Sequence, residues 1–269
     1  MNATDQTEIK ELMSTEAGLS KLIQFAKFNH KNVSYQYFIE VLYEKLDNIF
    51  AKLENSRDKI FSHDEDAITG LIAARLEEIG FNTSEQTKQN GSVDLTVELG
   101  GHKWIAEAKI AYSNSKILEG LLQLLTRYVT RDEKAGLLIY IKKPKSIDVV
   151  KNWDGFLKNS KSLESYIAKK NPELQDDLNC IFSNVKTTSH TPMILSSRHN
   201  LVRGTEINIR HFCADLYYNP ADSSGNSCKK QRKDNALNNL ANLYFSHLES
   251  KNNFDTDKCI EYLERLFRD

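Results

Sequence analysis

The stretch that most constrains this chain is Ser92–Ile110, SVDLTVELGGHKWIAEAKI. Two alternating runs, Val93–Leu99 and His102–Ile110, flank Gly100-Gly101. A two-residue Gly-Gly loop between such runs predicts a β-hairpin, because a type I′ turn needs positive φ at both central residues. With Leu99 and His102 closing the turn, Asp94 falls directly across from Glu107. Opposed side chains in such a pair lie roughly 4.5–5.5 Å apart at Cβ, where like charges repel. Strand alternation puts Lys109 beside Glu107 on that face. The other face, Val93, Leu95, Val97 and Leu99 with Trp104, Ala106, Ala108 and Ile110, is expected to be core. Two carboxylates and an amine are thus gathered where a divalent cation held by oxygen ligands would relieve the repulsion.

Asp94 followed by Glu107-Ala108-Lys109 reads D-x12-E-x-K. On these residues the chain resembles the PD-(D/E)xK nuclease superfamily, the restriction-endonuclease-like fold. The resemblance implies an α/β core, a mixed central sheet flanked by helices, with helical additions at the N- and C-terminal ends. It also implies a Mg²⁺-dependent phosphodiesterase in which Mn²⁺ substitutes. Asp94, Glu107 and the Ala108 carbonyl would be the metal ligands. Lys109 would orient or deprotonate the water, or neutralise developing charge. The motif contains neither His nor Cys, which argues against zinc.

Upstream, HDEDAITGLIAARLEEIGF (63–81) predicts a helix with Ser62 as N-cap, acidic residues in the first turn and Gly80 at its C-terminus. Ile68, Ile72, Leu76 and Ile79 form its apolar stripe, and Glu65 lies on the same side. Dipole complementarity alone explains a carboxylate there. The resemblance adds a Glu on this helix to the metal site, which makes Glu65 the expected residue, with Asp64 or Asp66 as the alternatives. Asn82–Gly91 is expected to be a loop.

Downstream, Ser115–Arg131 keeps helical spacing through Ile117, Leu121, Leu124, Leu125 and Tyr128. Nucleases of the resembled type often carry a Gln on this helix, which points to Gln123, and some add a Tyr four residues later. Here the Tyr comes five later, and Tyr128 is expected in the core or partly exposed. Ala135–Ile141 is a continuous apolar run that fits a strand buried on both faces. From Ile141 to Lys170 there are eight lysines against Asp148, Asp154 and Glu164, an excess of five positive charges. These fit a phosphate-contacting surface or a solvated helix face equally well. Val185–Met193 and Glu206–Tyr218 read as strands. His190, His199 and His211 show no ligand spacing and are expected to be structural, while a loop near Arg198, Arg203 and Arg210 could touch phosphate.

Residues 1–60 read as an N-terminal helical region, 61–220 as the nuclease core, and 221–269 as a linker and C-terminal helical tail. In the first, Thr7–Phe28 is amphipathic. The clearer helix spans Tyr35 to Leu53, its stripe of Phe38, Leu42, Leu46, Ile49 and Leu53 packing on the core or forming a docking surface. In the last, the Asp222–Ser227 linker and the basic run Lys229–Lys233 precede two helices. Either end could carry a homodimer or partner contact. The net charge of −1 excludes a global basic field, so any nucleic-acid footprint must be local. Four scattered cysteines and the lack of a signal or membrane segment lead us to expect a cytoplasmic protein.

The expectation for function is a metal-dependent DNA endonuclease in restriction or anti-phage defence, controlled by a partner protein. The alternative is a catalytically inactive nuclease-fold module that binds nucleic acid or serves as a regulatory or adaptor subunit.

Overall fold

The structure is a computed structural model and describes residues 33–88, 91–159, 163, 175–220, 229–249 and 254–267. The expected amphipathic stretch Thr7–Phe28 and the Asp222–Ser227 linker lie outside these residues.

The hairpin forms as its turn chemistry requires. Gly100 and Gly101 have φ of 59° and 84°, and Leu99 pairs with His102. It is the nucleus of a seven-stranded mixed sheet of order β1-β2-β3-β4-β7-β6-β5. The strands are β1 Asn82–Lys88, β2 Ser92–Leu99, β3 His102–Ile110, β4 Lys134–Ile141, β5 Lys186–Thr191, β6 Ile194–Asn200 and β7 Glu206–Asp215. β3, β4 and β7 are mutually parallel, and the two flanks are antiparallel. The central β4 is apolar and buried on both faces, as a parallel strand covered by helices must be.

Helices cover both faces. On one lie α1 (Tyr35–Asn55), the single turn α2 (Arg57–Ile60) and α3 (Glu65–Ile79). The α1 stripe predicted from spacing is buried throughout and shares one core with Leu95, Val97, Trp104, Ala106 and Ala108, so it packs on the sheet and is not free for docking. On the other face lie α4 (Asn114–Gln123), which runs into a π-helical turn, Leu124–Tyr128, then α5 (Ser146–Lys158) and α6 (Gln175–Phe182). Their core takes Ile105, Leu137, Ile139, Ile209 and Cys213 from the strands. Val93, expected with Leu95, joins this second core instead, where β2 leaves its ladder with β3. Two C-terminal helices, α7 (Lys229–Glu249) and α8 (Thr256–Phe267), complete the described chain.

Several local expectations are corrected. Asn82–Lys88 is not a loop but an edge strand; NTSEQTK lacks alternation because an edge needs no apolar face. β6 (ILSSRHN) was not foreseen, since its polar run hides a strand whose Ser197 and His199 are buried by bonding one another. Asp64, not Ser62, caps α3, accepting from Ala67 N at 2.9 Å. Among the described residues no helix is long and apolar enough to cross a membrane.

Candidate active site

Three elements converge on the C-terminal end of β3. The β2–β3 ladder has the register predicted from the turn, but its last backbone pair is Leu95 with Ala106. One step beyond, the Asp94 carboxylate takes over, accepting from Ala108 N at 2.8 Å. Glu107 and Lys109 project from β3 toward α4, where Gly120 lies so close that a Cβ would stand 2.6 Å from Lys109 Cγ and 3.3 Å from Glu107 Cγ. Glu65, the first residue of α3, reaches the end of the strand and accepts from Ile110 N at 2.7 Å. Of the three acidic residues that could have completed the set, Glu65 is therefore the one in place. Asp64 is spent on the helix cap, and Asp66 accepts from Gln86 at 3.5 Å.

The Lys109 ammonium sits at the focus. Its Nζ lies 2.7 Å from Glu107 Oε1, 2.6 Å from the Ala108 carbonyl, 3.1 Å from Glu65 Oε1 and 3.8 Å from Asp94 Oδ2. Glu65, Asp94, Glu107, Ala108 and Lys109 are thus brought together as one cluster. Three carboxylates face a single ammonium, so the cluster is short of positive charge. Burial pushes the Glu107 carboxyl up to about 8, against the pull of Lys109, and burial also raises Asp94. Lys109 is raised in turn, because its carboxylate neighbours outweigh the cost of burying its charge.

Gln123 closes α4 and lines an open cavity of about 750 Å³ with Thr126, Arg127, Asp177 and Arg203. Its Oε1 is buried without a hydrogen-bond partner among the described residues. Of the two expectations for Tyr128, core or partly exposed, the first holds: it is buried, and its phenol is raised by burial and further by the Glu107 and Asp94 charges. The π turn explains how. Val129 N donates to Leu124 O, an i→i+5 bond that absorbs one extra residue, so a Tyr five positions after Gln123 stands where an α-helix would place one four positions after. Only the departure from four-residue spacing hinted at this in the sequence.

Two lysines of the basic stretch turn inward. Lys142 Nζ donates to the His63 carbonyl, bracing the loop that precedes Glu65, and Lys143 Nζ donates to Tyr112 O at 3.1 Å. They are unavailable as surface charges. Arg210 lies within β7, 5.1 Å over the Tyr43 ring, rather than in a phosphate-contacting loop, and Arg198 pairs with Glu206 at 3.6 Å.

The donor set suits a hard divalent ion. Every group is oxygen, and Glu107, only 2% exposed, keeps Oε2 buried with no hydrogen-bond partner among the described residues. Among the described residues, however, no three His, Cys, Asp or Glu side chains form a ready-made metal cage, so the Ala108 carbonyl and water would have to complete the coordination. No family model, curated protein or solved structure matches the chain.

Proposed function

We propose that the chain is a metal-dependent nuclease of the restriction-endonuclease-like fold that hydrolyses phosphodiester bonds, with DNA as substrate and endonucleolytic cutting as the mode. The observation that carries this reading is the gathering of Glu107, the Ala108 carbonyl, Glu65 and Asp94 around one ammonium, that of Lys109, at 2.7, 2.6, 3.1 and 3.8 Å. Those four groups would hold Mg²⁺, or Mn²⁺ in its place, which supplies Lewis acidity toward a phosphate oxygen and acidifies a bound water. The chain's own part is positioning and charge. Asp94 and Glu65 are locked by backbone N–H groups, and Gly120 lets α4 close over the pair on β3, excluding bulk water. The Lys109 amine offers protons to an anionic oxygen, and the Tyr128 phenol is held protonated by burial and by the Glu107 and Asp94 charges.

The setting we propose, restriction or anti-phage defence, is supported by the resemblance alone. Control by a protein partner or a second copy is supported by the C-terminal hairpin, whose Leu237, Tyr244, Leu248, Ile260, Leu263 and Phe267 are all exposed. The deciding experiment is cleavage of plasmid, linear duplex, single-stranded DNA and RNA with Mg²⁺, Mn²⁺ or EDTA. Metal-dependent cutting is expected, reduced at least about 10²-fold in Asp94→Asn and Lys109→Ala. Normal cutting by either variant would show the site to be misassigned. A folded protein that binds nucleic acid and cuts nothing under any metal would favour the inactive binding module.

A further inference from the structure

We infer that Lys109 is the resident cation of the carboxylate cluster: its ammonium occupies the divalent ion's seat in the metal-free protein and must leave that seat for the ion to bind. This rests on the metal-dependent reading above and adds to it a second task for the lysine, setting how readily, and for which ion, the site loads.

The geometry is specific. A lysine that merely stood near a metal site would approach one ligand from outside. Lys109 Nζ instead touches Glu107 Oε1, the Ala108 carbonyl and Glu65 Oε1, with Asp94 Oδ2 at 3.8 Å, so it faces the complete oxygen set from within. An ammonium and a divalent ion cannot share that position, because two cations at contact repel strongly in a buried site. Without a cation the Glu107 carboxylate, its side chain 3% exposed, would face the Asp94 and Glu65 carboxylates uncompensated. The ammonium therefore keeps the fold together until the ion arrives. Once moved aside it still balances charge, the three carboxylates being matched by the ion and the ammonium together. Its stem remains held between β3 and Gly120, so the amine leaves the seat without leaving the site.

The test uses the full chain and two readouts. Isothermal titration with Mg²⁺ and with Mn²⁺ compares the wild type with Lys109→Met, after circular dichroism has verified folding. Removing the competitor should tighten ion binding at least about tenfold even though cleavage is lost. Independently, the Lys109 ammonium signal in a lysine ¹⁵N NMR spectrum of the wild type should be protected from solvent in EDTA. It should lose that protection on saturation with Mg²⁺. Equal or weaker binding by a folded Lys109→Met protein overturns the inference, as does an ammonium signal unchanged at saturating Mg²⁺. Should the variant fail to fold, the wild-type spectrum decides by itself. A wild type that cuts with Mg²⁺ while its ammonium stays in place sinks only the inference. A wild type that neither binds ions nor cuts removes the nuclease reading and the inference with it.

Discussion

Gly120 and Glu107 show how single residues set the chemistry here. A glycine inside a helix costs about 1 kcal/mol relative to alanine, yet any Cβ at position 120 would collide with Lys109 Cγ, an atom near the anchored end of a side chain whose amine is also fixed. Gly120→Ala should therefore destabilise by about 1–3 kcal/mol despite its better helix propensity; urea unfolding measures this, and a stability gain would refute the close packing. Glu107 makes a pH prediction. Its carboxyl is raised from 4.5 to about 8 in the fold, so the native state holds a proton that the unfolded chain gives up. Its contribution is full below about pH 4.5 and is lost as pH rises through about 8. In EDTA that contribution should appear as the wild-type stability minus that of Glu107→Gln, a difference that shrinks as pH rises across the window. A difference that grows from pH 5 to 8 would contradict the assignment.

At the scale of elements, a buried polar chain ties α5 to the β6–β7 pair. Trp153 Nε1 donates to His211 Nδ1 at 3.1 Å; His211 Nε2 and His199 Nε2 each lie 2.7 Å from Ser197 Oγ. An indole can only donate, so His211 carries its proton on Nε2 and gives it to Ser197, whose hydroxyl in turn donates to His199. Each link requires neutral imidazoles. Burial holds His199 down to about 4 and His211 well below the usual histidine range. The unfolded chain protonates near 6.5, so stability is complete above that pH and falls as pH drops toward 4, by about 3 kcal/mol for His199 alone. Because Glu107 drives stability the other way, the measurement belongs in the Glu107→Gln background, as urea midpoints at pH 7 and 4.5. A flat profile there would mean that the histidines are not buried neutral. The same chain explains why histidine spacing carries no signal here: the partners of His211 are 14 and 58 residues away in sequence, and the His199 partner, Ser197, becomes informative only through His211.

For the molecule as a whole, α7 is fastened to the segments that carry the site. Asn238 Nδ2 donates to the Lys142 carbonyl, Phe245 stacks on Tyr112 at 4.8 Å and 15°, and Glu249 Oε1 accepts from Ser115 N at 3.2 Å at the start of α4. Deleting residues 221–269 leaves the seven strands intact, so a folded protein with native-like circular dichroism is expected. It should melt a few degrees lower, because losing the Asn238–Lys142 hydrogen bond costs about 0.5–1.5 kcal/mol and the Phe245–Tyr112 stack is lost with it. An unchanged melting temperature would show that the tail adds nothing to the body.

What the sequence determined by itself was whatever rests on near neighbours. The Gly-Gly turn dictated the hairpin and its register, the three-and-four spacing dictated α1 and α3, and the apolar run dictated β4. With the alternation of β3 came the pairing of Glu107 with Lys109, whereas Asp94 joins them beyond the last ladder pair, through the Ala108 N–H and not through the predicted register. Tertiary structure decided the rest. It selected Glu65 over its two acidic neighbours, because the α3 cap fixes which carboxylate faces Ile110 N. It turned two lysines inward, made strands of two polar segments, and widened one turn of helix so that Tyr128 lies near the carboxylates. Each of these depends on contacts between segments far apart in the chain, where packing and hydrogen-bond satisfaction outweigh local preference.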